Sequence, residues 1–386
     1  MWLMSLLGCG AEIKEAYDIE KTAVLDRADA PTDANWEEDI VLRLDYAQLN
    51  NLAKQLIQDS LAGAKIEKSV LGQNLILRPN ATINQFELKD APQKADHVMR
   101  FILDLGGKLK WRSGSLDGEV PYTIKLKGTL AMPSDNQSIR FKINDVDDIR
   151  VQLDGNLPLN ITPLLKSWLK ESLLSIPVTE VYALDKKVPI LAMRVNTAAE
   201  SINVELLSDV PKTLSLTKLP TLESDWDILV SDTALMGLIR RKAFAMGVVA
   251  NGVAVDPTAL QFQGDTFNLS LRLWKIEGFG GLWWRDYQAS GPIAYNDARG
   301  RIKLTADSVT EGEKSEGAGI ADPIALLGEG FILTAIEENL TLALPQKAVF
   351  DLGESRLIPS VEKIQSMPKY TQISGKVILK EGLPKR

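Results

Sequence analysis

Gly128-Thr-Leu-Ala131, followed by Arg140-Phe-Lys-Ile143, returns in nearly the same form in the second half of the chain. There Gly291-Pro-Ile-Ala294 is followed by Arg301-Ile-Lys-Leu304, so the step from Gly128 to Gly291 nearly equals the step from Arg140 to Arg301. The same order and spacing of small, apolar and basic residues indicates an internal duplication. A duplication sets the architecture before any single motif is weighed.

The elements around these stretches repeat as well. A capping residue before a proline, typical of a helix start, occurs at Thr162-Pro163 and again, after a similar step along the chain, at Asp322-Pro323. A short apolar strand that leads into a capped helix occurs at Ile40–Asp45 and again, after a somewhat longer step, at Trp226–Ser231. We therefore predict two tandem modules, residues 38–215 and 222–386.

Alternating apolar and polar residues fill the middle of both halves. In the first half, Phe101 and Leu103 share one face of a predicted strand, and Ile124 alternates with Lys125 on another. This period of two is typical of antiparallel sheet with one dry and one wet face. Apolar residues at helical spacing follow the predicted helix starts. The pattern predicts an α+β fold.

Composition and charge exclude several classes of function. The net charge of −7 and the isoelectric point near 5.1 argue against a nucleic-acid binder, which usually carries a basic patch. The chain has one cysteine and one histidine, so a single chain can form no disulfide and no Cys/His metal cluster. A Ser-His-acid triad would need His97, which lies in a polar stretch and is expected to be solvated. We expect no cofactor, no metal and no catalytic residue.

The N-terminus resembles the processing site of bacterial lipoproteins. Leu6-Leu7-Gly8-Cys9 matches the lipidation box, although the preceding apolar run is short and lacks a basic start. This interpretation makes residues 1–9 a signal remnant, Cys9 the lipidation site and residues 10–37 an acidic linker. Gly10 in place of aspartate favours the outer membrane, facing the periplasm. The alternative is a frayed apolar tail with an incidental cysteine.

The duplicated layout resembles the tubular lipid-binding superfamily, the fold of bactericidal permeability-increasing protein and its relatives. The resemblance covers about residues 38–386 and rests on the order of elements, the duplication and the lipidation box. It implies that each module is a curled antiparallel sheet wrapped around a long helix, with lipid in an apolar groove. The chain cannot form the disulfide of many animal members, so the resemblance points to the bacterial branch.

The dry faces of the strands are the candidate lipid-binding surface. An aliphatic cavity stays dry and suits acyl chains. The alternative is a filled core, in which the same alternation only stabilises the fold. The residues expected to line the interior are Phe101, Leu103, Ile124, Phe141, Ile143, Leu269, Leu271 and Ile302.

Two further features carry weaker interpretations. Trp283 and Trp284 follow a glycine-rich stretch and are candidates for membrane contact, because tryptophan favours the membrane interface. They could equally straddle a strand, one facing inward and one outward. Asp145, Asp147, Asp148 and Asp154 lack the spacing of a calcium loop and are expected to form an exposed acidic turn between strands.

The sequence thus predicts a non-enzymatic, membrane-anchored bacterial lipoprotein of the cell envelope that binds or transfers lipid. Its expected partners are a lipid or other apolar ligand, and a membrane through the lipidated N-terminus. The alternative is an envelope scaffold or assembly factor with filled cores and a protein partner. A hydrolase that uses only carboxylates and hydroxyls is a third hypothesis.

Overall fold

The computed structural model describes most of the chain, in segments separated by gaps. The described residues are 2–32, 35–61, 63–70, 73–89, 98–131, 138–155, 160–176, 179–183, 190–197, 201–211, 213–216, 219–250, 252–278, 281–296, 301–315, 350–352 and 355–381. The helix predicted from Pro323, and His97, lie outside these residues.

Within these residues the chain is mostly antiparallel sheet with few helices. The helices are α1 (Trp2–Leu25), α2 (Tyr46–Leu61), α3 (Thr162–Leu174) and α4 (Asp232–Met246). The strands of the first half are β1 (Ile40–Asp45), β2 (Ile66–Val70), β3 (Gln73–Lys89), β4 (Val98–Ser113), β5 (Leu116–Ala131), β6 (Ser138–Leu153), β7 (Thr179–Ala183), β8 (Ile190–Thr197) and β9 (Ser201–Ser208). Those of the second half are β10 (Trp226–Ser231), β11 (Val248–Ala250), β12 (Val253–Gln263), β13 (Thr266–Lys275), β14 (Trp283–Asn296), β15 (Arg301–Leu304), β16 (Ser308–Lys314), β17 (Phe350–Leu352), β18 (Ser355–Met367) and β19 (Tyr370–Glu381).

One sheet contains strands from both halves. Its order is β17-β18-β19-β10-β1-β9-β8, so β1 and β10, the two strands matched by the predicted repeat, are direct neighbours. They pair antiparallel with Leu42 opposite Ile228. Outward from this pair, β9 and β8 follow on one side, and β19 and β18 on the other.

Two flanking sheets are built from consecutive hairpins. In the first half the strand order is β2 to β7, and in the second it is β11 to β15 with β16 beside β14. The long strands β3 to β6 carry register shifts, including one between Ile83 and Gln85 and one between Lys125 and Lys127. Such bulges bend a strand and increase its twist. They accompany the curled, half-barrel form of the sheet.

Helices α3 and α4 begin at the positions predicted from the sequence, but only α4 has the predicted side-chain cap. Ser231 caps α4 by accepting a hydrogen bond from the Ala234 N–H at 3.2 Å, as predicted. In α3, Thr162 is already helical, and the Thr162 N–H donates to the Asn160 side chain at 3.2 Å. The N-cap of α3 is therefore Ile161, which makes no side-chain capping hydrogen bond, and the Thr-Pro pair lies inside the first turn.

The two faces of the central sheet differ. Ile40 and Leu42 face the main hydrophobic cluster, whereas Val41 packs with Leu216 and Leu229 on the opposite side. The opposite face also carries buried polar groups. The Arg43 guanidinium donates to both carboxylate oxygens of Asp227, a bidentate pair that joins β1 to β10.

Asp39 lies buried at the start of β1, where it binds the end of β9. Its carboxylate accepts hydrogen bonds from the Ser208 N–H at 2.9 Å and the Ser208 hydroxyl at 2.5 Å. Burial raises the pKa of Asp39, and these hydrogen bonds offset part of that rise. The network on this face binds neighbouring strands together.

The segment expected to be a linker contains a helix. Residues 10–25 belong to α1, and Ile13 and Tyr17 on it are buried against α4 and β13 of the second half. The apolar positions Ile13, Tyr17 and Val24 recur at helical spacing, which is why this acidic segment folds onto the protein.

Candidate functional site

The inner face of the first flanking sheet is apolar over a long stretch. Phe101 and Leu103 on β4 and Ile124 on β5 are at most 1% exposed. Leu103 lies opposite Leu126, and Phe101 lies opposite Gly128. The period-two pattern of these strands therefore places the predicted lining residues together on one face.

A glycine makes room for the aromatic ring on this face. A Cβ atom added to Gly128 would lie 2.4 Å from Phe101 Cζ and 2.6 Å from the Asp145 carbonyl oxygen, closer than real Cβ atoms come. The Phe101 ring also stacks on Phe86, with 5.7 Å between ring centroids. The first glycine of the repeated motif thus serves the packing of the inner face.

Helices α2 and α3 pack on this inner face. Their buried residues join the strand residues in one cluster: Ala53, Ile57, Leu61, Leu165, Leu169 and Leu173. Gln58 of α2 fixes the helix to β3, because its side chain donates to the Ala81 carbonyl at 2.8 Å and accepts from the Ile83 N–H at 3.0 Å. The helix is therefore bound at the bulge where β3 bends.

The second half repeats the apolar inner face. Leu269 and Leu271 on β13 are 1% and 4% exposed. Leu269 lies opposite Ala289, and Leu271 lies opposite Tyr287. These residues belong to the same hydrophobic cluster as the first half, so the apolar interior is continuous between the halves.

The remaining predicted lining residues have different outcomes. Ile143 on β6 is 3% exposed and belongs to the main cluster. Phe141 lies on β6 and Ile302 on β15, but their side chains lie outside the described part of the structure. An open cavity wide enough for an acyl chain would leave its lining partly accessible, whereas these residues are as buried as those of a filled core, so the lining role itself stays a prediction.

A tyrosine of the first flanking sheet belongs to this interior. Tyr122 on β5 is 2% exposed and belongs to the main cluster. Among the described residues its hydroxyl has no hydrogen-bond partner. Burial raises the pKa of the phenol to about 12, so it remains a neutral donor at physiological pH. The alternation of β5 predicted its face, but nothing in the sequence indicated the missing partner.

The paired tryptophans straddle β14. Trp283 is 5% exposed and lies in the main cluster, whereas Trp284 is half-buried beside the cluster of α1 and α4. The Arg272 guanidinium lies 4.1 Å from the Trp284 ring centroid, a cation–π distance. This arrangement matches the straddling interpretation and presents neither indole as an exposed tip.

Helix α1 is bound to the second half by aromatic and ionic contacts. Tyr17 lies 5.5 Å from the Phe244 ring and 6.0 Å from the Trp274 ring, between centroids. Arg240 of α4 donates to Glu20 of α1 at 2.8 Å. A groove of about 750 Å³ runs along the outer side of the helix, between it and Leu282.

Cys9 lies within α1, one turn before the docked part of the helix. Its side chain is outside the described part of the structure. Lipidation of Cys9 therefore stays a prediction.

Over the described segments, no three His, Cys, Asp or Glu residues are grouped to hold a metal ion. None of the helices in those segments is long and apolar enough to cross a membrane.

Asp145, Asp147 and Asp148 lie along β6 and do not form the turn expected from the sequence. A register shift beside Lys127 accommodates them instead, with Asp148 at φ 45°.

Solved structures similar to this chain were found by fold. Lipopolysaccharide binding protein is 11% identical over 89% of this chain and 99% of its own, with a TM-score of 0.40. P47 from Clostridium botulinum A2 is 12% identical over 88% of this chain and 97% of its own, with a TM-score of 0.34. P47 of Clostridium botulinum E1 is 13% identical over 88% of this chain and 99% of its own, with a TM-score of 0.35. No protein-family model and no curated protein matches the chain.

Proposed function

We propose that this protein binds lipid, or another apolar ligand, in the interior formed by the inner faces of its two flanking sheets. One observation carries the proposal: the apolar faces of both sheets join in a single cluster that contains six of the eight predicted lining residues. Each acyl carbon moved from water into such a lining contributes about 0.8 kcal/mol. Binding of this kind needs shape and apolar surface but no reacting group.

We further propose that the chain is two tandem modules, each with a curled sheet around a long helix. The pairing of β1 with β10, and the matching order of strands outward from them, supports the duplication. Helices α2 and α3 occupy the helix positions of the first module. The helix predicted from Pro323 would take the position of α3 in the second.

Membrane attachment through a lipidated Cys9, in the bacterial envelope and on the outer membrane facing the periplasm, is part of the same proposal. The lipidation box supports it. The docking of α1 would then hold the anchor close to the second half rather than on a free tether. Replacement of Cys9 with serine should release the protein from the membrane fraction, and unchanged fractionation would remove the anchor from the proposal.

A filled core with a protein partner is the second candidate function. The dense packing of Leu103, Leu165 and Leu169 at 0% exposure favours it. An envelope scaffold or assembly factor would use the outer surface and leave the interior to stability. We propose binding rather than catalysis in either case; a carboxylate hydrolase would show turnover of ester substrates.

Mass spectrometry of lipids extracted from the purified full chain separates these candidates. Lipid binding predicts a stoichiometric lipid that survives purification in the absence of detergent. The matched sample is the same chain after denaturation, lipid extraction and refolding, which should take up added phospholipid again. A chain that carries no lipid and takes none up would refute the proposal and favour the scaffold.

A further inference from the structure

Tyr122 is a buried hydrogen-bond donor on the apolar inner face of the first flanking sheet. It lies two residues before Ile124 on the same face of β5, at 2% exposure. Its hydroxyl has no partner among the described residues. A buried hydroxyl without a partner destabilises the fold, and buried tyrosines usually find a partner.

The strands beside Tyr122 hold its ring in place and offer its hydroxyl no side-chain acceptor. Its cross-strand neighbours are Gly107 on β4 and Leu153 on β6. A Cβ atom at Gly107 would lie 1.8 Å from the Asn80 carbonyl oxygen, so only glycine fits there, and it would lie 3.4 Å from Tyr122 Cε1, which is ordinary van der Waals contact with the ring. The ring is thus positioned by packing, independently of its hydroxyl.

A buried water is a poor partner at this position. An ordered internal water needs two to four polar partners. The residues that flank Tyr122 on the inner face of β5 are Val120 and Ile124, and the cross-strand neighbours are glycine and leucine. An acceptor supplied by a ligand fits the apolar surroundings better. That acceptor is uncharged, because a buried carboxylate would be strongly disfavoured here.

We propose that the Tyr122 hydroxyl donates a hydrogen bond to the carbonyl oxygen of an ester- or amide-linked acyl chain bound in the first half. This inference rests on the proposed lipid binding and names its polar contact. From Tyr122 to Gly128, opposite Phe101, the inner face of β5 extends about 20 Å at the rise of an antiparallel strand. A single leaflet of a bilayer is about 15 Å thick in its hydrocarbon part, so one acyl tail fits along this length.

The test compares two Tyr→Phe variants of the full chain. Tyr122→Phe removes the interior hydroxyl, and Tyr17→Phe removes an equally buried, unpartnered hydroxyl from the separate cluster of α1. The affinity for methyl palmitate and for hexadecane is measured by displacement of a fluorescent palmitoyl probe. We expect Tyr122→Phe to raise the Kd of methyl palmitate about fivefold and to leave the Kd of hexadecane unchanged. Tyr17→Phe should change neither Kd.

An infrared measurement on methyl palmitate labelled with ¹³C at the carbonyl gives a second readout. The carbonyl band of the bound ester should move to the frequency of a free carbonyl in Tyr122→Phe only. Equal weakening of both ligands would assign Tyr122 a packing role and overturn the inference, as would an unchanged affinity and band. Failure of the wild-type chain to bind either ligand would instead overturn the proposed function.

Discussion

Replacement of Leu103 with alanine tests whether the inner face contacts a ligand. Leu103 is 0% exposed in the main cluster. Three carbon atoms are lost, worth about 2.4 kcal/mol of transfer free energy, and the residual cavity brings the expected cost to about 3–5 kcal/mol of unfolding free energy. If the side chain also touches an acyl ligand, losing about 0.8–1.4 kcal/mol of contact should raise the ligand Kd about four- to tenfold.

Leu229→Ala is the matched control for this prediction. Leu229 is also 0% exposed, but it packs with Val41 and Leu216 on the opposite face of the central sheet. Urea unfolding should show a similar loss of stability in both variants. Titration with methyl palmitate should show a raised Kd only in Leu103→Ala. Equal changes in Kd, or none, would refute the assignment of Leu103 to a ligand-binding surface.

Three more outcomes follow from buried contacts. Arg43→Met leaves the buried Asp227 without its guanidinium partner, so the free energy of unfolding measured in urea should fall by about 3–5 kcal/mol. The double variant with Asp227→Leu should recover most of that loss. A double variant as unstable as Arg43→Met would contradict this. Tyr17→Ala should detach α1 and speed tryptic cleavage at Lys21, whereas Tyr17→Phe should not; equal cleavage rates would show that the aromatic contacts do not hold the helix. Burial raises the pKa of Asp39, so its contribution to stability is fully present below the unfolded value of 3.8 and is lost as pH rises through the folded pKa. The stability of wild type relative to Asp39→Asn should therefore fall from about pH 4 upward, and a flat difference would contradict the burial argument.

The faces of the strands could be predicted because a period of two is local information. Leu103, Ile124 and Leu269 fall on buried faces, as their alternation with polar neighbours required. The pairing of β1 with β10 could not be predicted in this way. The repeat identified the two strands as equivalents, but pairing between strands so distant in the chain depends on how the whole chain closes.

The acidic N-terminal segment carries apolar residues at helical spacing, which its overall composition does not indicate. Its charge predicted a linker, yet Ile13 and Tyr17 are one helical turn apart and Val24 lies two turns further on. A polar helix with a narrow apolar stripe folds only if a complementary surface exists, and Phe244 and Trp274 provide it. The apolar stripe could be predicted from the sequence, but the surface on which it packs could not.

Tyr122 and Trp283 show where sequence information ends. A tyrosine in an alternating strand predicts a buried ring, but whether the hydroxyl finds an acceptor depends on Gly107 and Leu153, which lie on other strands. Likewise, a pair of tryptophans after glycines has two interpretations, and the position of Trp283 in the main cluster favours the straddling one.

The predicted boundary between residues 215 and 222 separates the two proposed modules but not two independent interiors. Strand β1 has β9 of its own half on one side and β10 of the other half on the other side. The apolar residues of β1 and β10 then face the same cluster, while Arg43 and Asp227 bind the pair together from the opposite face. The apolar residues of the two halves therefore belong to one continuous core, and the seam between the halves runs through a paired sheet.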